Sequence, residues 1–169
     1  RLKTVDFVAP DEIPRASEIL LTGSKSPTVA TIDDLAGKTI HVRKSTSYFE
    51  SIMSFNNRLK KERKSKIKIA LVPDALEDED LMEMLNSGLF EYIVVDNRIA
   101  KLWAQVLPNI KLREDIVFRS GGKIGWAIRK GSPKLEAEIM DFYRNFLQKN
   151  GVMESRLAQY HKRIKQIKD

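Results

Sequence analysis

The chain contains no cysteine, so no disulfide staples it and no thiolate can ligate a metal, an absence that cytoplasm and cell envelope both tolerate. No stretch approaches the roughly 18 consecutive apolar residues of a membrane span. Histidine occurs only as His41 and His161, far apart in sequence, and His41 falls inside a β-rich run where a structural role is favoured. The acidic "EDED" at 77 to 80 has neither a histidine partner nor the glycine of a calcium loop, and a helix N-terminus accounts for it more simply. Gly121-Gly122 lacks the strand-loop-helix setting of a phosphate loop. Catalysis, a metal and a cofactor are all left without support, and the chain is not expected to be an enzyme.

What is present is a 169-residue chain, 42% hydrophobic, enough for one ordinary core or two small ones. It opens on Arg1, with neither Met nor a signal peptide, which points to a fragment or a processed chain. The formal net charge is +7, which suits an anionic partner. Most of the excess comes from one connection, "RLKKERKSKIK" at 58 to 68, where Arg58, Lys60, Lys61, Arg63, Lys64, Lys66 and Lys68 face a single acid, Glu62. No aromatic residue is interleaved for base stacking and no recognition motif follows. A solvated helix end and loop is therefore favoured over an anion-binding surface, and a nucleic-acid partner is not expected.

Strand-like and helix-like runs alternate in the manner of an α/β protein. "TIHVR" (39 to 43), "IKIALV" (67 to 72), "YIVVD" (92 to 96) and "IGWAIR" (124 to 129) are β-rich. Between them, Tyr48, Ile52, Phe55 and Leu59 step at helical spacing, as do Leu81, Met84, Leu85 and Leu89, and then Ile99, Leu102, Trp103 and Val106. Strand, helix, strand, helix, strand and helix over 39 to 106 imply a parallel sheet with right-handed crossovers. "VDFVAP" and "EILLTG" near the N-terminus also read as strands but stand outside this repeat, as does the C-terminal part. There, Ser132 and Pro133 open a helix that stops at Asn150-Gly151, and Met153, Leu157, Tyr160, Ile164 and Ile167 give a second helix an apolar edge.

The stretch "KSTSYFESI" places three hydroxyl residues, Ser45, Thr46 and Ser47, at the start of the first of these helices. One hydroxyl suffices for a cap. The others, with the unpaired N–H groups of the first turn, offer donors to an anionic or carbonyl group.

Taken in order, these pieces resemble the type two periplasmic solute-binding protein fold, in its polar amino-acid-binding family. "RLKTVDFVAP" resembles that family's crossing segment, "TIDDLAGKTIHVRKSTSYFESI" the opening of its second lobe, and "IRKGSPKLEAEIMDFYRNFLQKNGVMESRLAQYHKR" its closing stretch. A narrower resemblance, in "VRKSTSYFESI", "LEDEDLMEMLNSGLFEYIVVDNRIAKLW" and "GGKIGWAIRKGSPKL", is to the solute-binding-like module of the membrane-bound lytic transglycosylase F family.

The resemblance implies an α/β, periplasmic-binding-protein-like fold in which lobe two is complete, with a parallel-type sheet flanked by helices, and lobe one only partial. Residues 1–24 would form a crossing segment and part of lobe one, 25–123 lobe two, and 124–169 the return crossing and the C-terminal helices of lobe one. It further implies a small polar ligand (amino acid, peptide or muropeptide) in the interlobe cleft, an attached lysozyme-like domain in the full-length protein, and a periplasmic or envelope location with a membrane anchor outside this chain. A free-standing receptor of an amino-acid transporter is the alternative. Residue by residue, Arg1 falls on the family's carboxylate clamp and Ser45, Thr46 and Ser47 on its hydroxyl loop. Asp96 falls on the acid that takes an ammonium, with capping of the helix from Asn97 as an equal alternative. Tyr48 is a candidate lining residue, with core packing as its rival, whereas Trp103 and Trp126 are better placed in the core.

Overall fold

In a computed structural model that describes residues 4–166, the repeat inferred from hydropathy is the centre of a five-stranded sheet. Its strands are β2 (Ala16–Gly23), β3 (Thr39–Arg43), β4 (Lys68–Val72), β5 (Tyr92–Asp96) and β6 (Ile110–Gly122), in the order β4-β3-β5-β2-β6. Strand β1 (Val5–Val8) lies outside this sheet. β3 pairs in parallel with both β4 and β5, while β2 runs antiparallel to β5 with Leu20 opposite Val94. α1 (Ser47–Lys61) links β3 to β4, α2 (Asp78–Ser87) links β4 to β5, and α3 (Asn97–Trp103) follows β5. Because the chain leaves β3 toward one side and returns to its other side, the carboxyl ends of β3 and β5 flank a point where strand order reverses.

The alternation of side chains along the strands divides the apolar residues between two faces. Leu20, Ile40, Val42, Tyr92 and Val94 pack with Ile52 and Leu59 of α1 on one face. Ile19, Leu21, Ile93 and Val95 pack with Leu81, Met82 and Leu85 of α2 and Ala100 of α3 on the other. The helical pattern expected for α2 is shifted slightly: Met82 is buried, whereas Leu89 lies beyond the helix and is exposed. The helix ends at Gly88, whose φ of 78° is left-handed and suits glycine.

Residues 16–121 form one compact unit; residues 1–15 with 122–169 form a second. β2 belongs to the first because it is hydrogen-bonded to β5, so this unit begins after Arg15, whereas the resemblance implies a division near residue 24. In the second unit β1 pairs antiparallel with β7 (Trp126–Arg129). A Cβ on Gly125 would lie 2.0 Å from the Val8 carbonyl oxygen, so this approach requires glycine. α4 (Pro133–Phe142) continues into a widened helical segment, Tyr143–Gln148, and is followed by α5 (Val152–Gln166). Arg144 is hydrogen-bonded to Glu12 (3.1 Å) and Trp126 meets Tyr143 edge to face.

Candidate functional site

The carboxyl ends of β3, β4 and β5 form one rim of the larger unit, and the residues singled out by sequence are distributed along it. Thr46 is the N-cap of α1: its hydroxyl accepts from the Phe49 N–H (3.4 Å) and donates to the Arg43 carbonyl (2.8 Å). Ser45 donates its hydroxyl to Asp74 (2.9 Å), on the connection after β4, and Ser47 is the first residue of α1. One hydroxyl therefore caps and a second ties this loop to its neighbour.

Tyr48 joins the parts. Its hydroxyl donates to Asp78 at the start of α2 (2.9 Å) and accepts from the backbone N–H of Asp96 at the end of β5 (3.2 Å). Its ring packs against the α1-side core, so both expected roles, lining and packing, meet in one residue. Burial, reinforced by the Asp78 charge, pushes the phenol far above its ordinary pKa and keeps it protonated as a donor. Asp78 is also bound by the Arg43 guanidinium, whose other arm reaches Glu77 (2.8 Å). Burial opposes the Arg43 charge, but the hydrogen bonds and charges of Glu77 and Asp78 outweigh it and raise its pKa.

Asp96 is the N-cap of α3, accepting from the Arg98 N–H (2.8 Å), and it also lies 3.5 Å from the Arg98 side chain. Capping, the alternative to ammonium binding, is thus what its carboxylate does here. Directly across the ladder is Glu18, almost fully buried, which accepts from Ser51 of α1 and lies 3.9 Å from Arg119. Arg1 lies outside the described residues.

The rim thus brings Ser45, Thr46, Ser47, Tyr48 and Asp96 together although Ser45 and Asp96 lie more than fifty positions apart in sequence. Arg43, Asp74, Asp78 and Glu18 belong to it as well. Arg43 closes the β-rich run "TIHVR" and Asp78 is one of four acids in "EDED"; only the fold shows which acid turns inward. Glu18 did carry a legible signal, a lone charge inside the apolar run "SEILLTG". Both tryptophans were expected in the core; Trp103 joins the α2-side core, but Trp126 is exposed, with its ring against Tyr143.

In fold, a mixed sheet flanked by helices, the chain is similar to substrate-binding proteins of amino-acid transporters. Among solved structures, the chain superposes on AbpA, an amino-acid ABC transporter substrate-binding protein from Streptococcus pneumoniae bound to L-arginine. The TM-score is 0.69 at 20% identity, over 97% of this chain and 64% of that one. A mutant of the arginine-binding protein of T. maritima gives a TM-score of 0.69 at 22% identity, over 96% of this chain and 64% of that one. In sequence, the chain is similar to membrane-bound lytic murein transglycosylase F of Desulfosudis oleivorans, 28% identical over 162 residues, which is 95% of this chain and 33% of that protein. No family model matches it. The chain spans a third of the length of that curated relative and just under two thirds of the solved structures.

Proposed function

We propose that the chain is a ligand-binding module of the cell envelope whose larger unit presents a small polar ligand, of amino-acid or cell-wall peptide type, to the rim formed by Ser45, Thr46, Ser47, Tyr48 and Asp96. The observation that carries this reading is the Tyr48 hydroxyl, which bonds the ends of two parallel connections to one another and so fixes the hydroxyl loop beside Asp96. Strand ends at a reversal of strand order are where open α/β sheets hold ligands. Within the longer protein suggested by the partial coverage of its relatives, the larger unit is a complete lobe, the smaller unit is part of another, and Arg1 supplies a carboxylate clamp. Similarity to a transglycosylase supports a sensing role, in which ligand occupancy regulates an attached lysozyme-like domain and muropeptides are the natural ligands. Similarity in fold to arginine-binding transport proteins supports the second reading, a receptor that delivers an amino acid to a permease.

Titration calorimetry with L-arginine, L-glutamine and a muramyl peptide, on a form of the protein that includes the chain preceding Arg1, distinguishes the two. Binding of the muramyl peptide in preference to either amino acid supports the sensor; the reverse order supports the receptor. Thr46→Ala is expected to cost about 0.5–1.5 kcal/mol of affinity and Asp96→Asn more, as for a lost neutral and a lost charged hydrogen bond. Binding by both variants equal to the parent's refutes the site.

A further inference from the structure

The end of the larger unit opposite the rim is strongly basic, and folding sorts its cations into paired and unpaired ones. Asp33 takes Arg58 (2.6 Å) and Lys64 (2.7 Å), and Glu62 takes the same two cations (3.4 and 2.9 Å). Those contacts leave Lys60, Lys61, Arg63, Lys66 and Lys68 exposed and without an ion-pair partner among the described residues. Lys38 joins them, because its carbonyl accepts from the Lys68 N–H (2.8 Å) while the neighbouring Gly37 N–H donates to the Lys66 carbonyl. Six cations thus share the N-terminal ends of β3 and β4 and the C-terminus of α1.

Arg63 adds an independent observation. Its φ is 57°, the left-handed conformation that closes helices most cheaply with glycine, and it is the one non-glycine residue with positive φ among those described. A cation occupies a backbone position that favours glycine, at the centre of the basic end.

We infer that this end is a docking surface for an anionic phospholipid bilayer. Four of the five exposed, unpaired cations are lysines, point charges suited to a diffuse field of headgroups, where the forked guanidinium of arginine would favour bidentate recognition. No aromatic side chain is interleaved with them to stack on bases, and none of the large exposed apolar residues falls between 58 and 68, so attachment is electrostatic, without insertion. Docking by this end leaves the candidate ligand rim, at the other end of the same strands, turned away from the membrane. The choice of a bilayer over another polyanion rests on the envelope reading above.

The test is flotation of the chain with vesicles of phosphatidylcholine alone and of phosphatidylcholine mixed with phosphatidylglycerol, at low and high salt. The chain is expected to float only with the mixed vesicles, and only at low salt. Reversal of Lys60, Lys61, Lys66 and Lys68 to Glu is expected to lower its partition about a hundredfold or more. The milder Lys→Gln set, checked by circular dichroism, covers the event that reversal disturbs folding, and should lower partition in the same direction. Equal flotation with both vesicle types overturns the inference, as does unaltered partition of the folded variants or an absence of flotation. Displacement from the mixed vesicles by a smaller charge equivalent of random duplex DNA assigns the surface to nucleic acid and overturns the inference. Calorimetry at the opposite rim does not involve these lysines, so the two readings fail separately.

Discussion

Through one hydroxyl, Tyr48 of α1 ties the start of α2 to the end of β5. Removing its hydroxyl leaves the Asp96 N–H without its acceptor and deprives the buried Asp78 carboxylate of one donor, although Arg43 remains. Tyr48→Phe is therefore expected to lower stability by about 1–2 kcal/mol, the usual cost of unsatisfied buried polar groups, measured as a shift of the urea midpoint with unchanged slope. An unchanged midpoint would show that the hydroxyl is dispensable as a tie. His41 gives a second residue-level expectation. It stacks on Phe90 with ring centres 3.9 Å apart, and its Nδ1 is buried with no hydrogen-bond partner. Burial lowers its pKa, only partly offset by the charge of Glu91, so the folded state binds a proton less readily than the unfolded chain. Its contribution to stability is thus complete above the unfolded value near 6.5 and is lost as pH falls from there through the depressed folded value. Thermal melts across this window should decline less steeply for His41→Gln than for the parent. Parallel declines would assign the acid sensitivity to other groups.

Elements differ in how plainly sequence announced them, and the differences have physical causes. β3 and β5 begin and end where "TIHVR" and "YIVVD" do: four of the five β5 residues are buried and read as a continuous apolar run, while Ile40 and Val42 of β3 alternate with less buried neighbours. β6 escaped notice. It lies at the sheet edge, where Lys111, Arg113, Glu114, Asp115 and Arg119 interrupt its pattern, as charges commonly do on exposed edges. β2 was legible as a strand but not as a partner of β5, since an antiparallel pairing between residues some seventy positions apart leaves no trace in either segment alone. The same limit applies to the rim: the hydroxyl run was visible as a motif, whereas the roles of Arg43, Asp78 and Glu18 depend on which elements meet. The end of α1 offers a test on this scale. Arg63→Gly relieves a left-handed residue and should stabilise the chain by about 1 kcal/mol, read by denaturant titration. A loss of stability would mean that the Arg63 side chain makes a compensating contribution to the fold.

Across the whole molecule the two units differ in how well their apolar surface is covered. The larger one, residues 16–121, is a single continuous segment with apolar clusters on both faces of a five-stranded sheet. Its large exposed apolar side chains, Met53, Leu71, Leu89 and Val117, are scattered. The smaller unit is assembled from two distant stretches around a two-stranded sheet, and among the described residues it carries the large exposed aromatic side chains Phe7, Trp126, Phe142, Phe146 and Tyr160. Phe142 and Phe146 stack on each other while each remains half exposed. A two-stranded ribbon with a few helices buries too little to be independently robust, whereas a five-stranded sheet covered on both faces is well within the range of autonomous domains. Residues 16–121 expressed alone should accordingly fold, unfold in one cooperative transition, and melt within a few degrees of the main transition of the full chain. In native-state hydrogen exchange of the full chain, amides of β2, β3 and β5 should be the slowest and those of α5 among the fastest, since local opening follows the density of buried apolar contacts. A dye that binds exposed apolar surface should fluoresce with the full chain and much less with the 16–121 fragment. A fragment that stays unfolded, or α5 amides protected as strongly as those of β5, would show that the smaller unit is a structural support of the larger one and not a separately stable body.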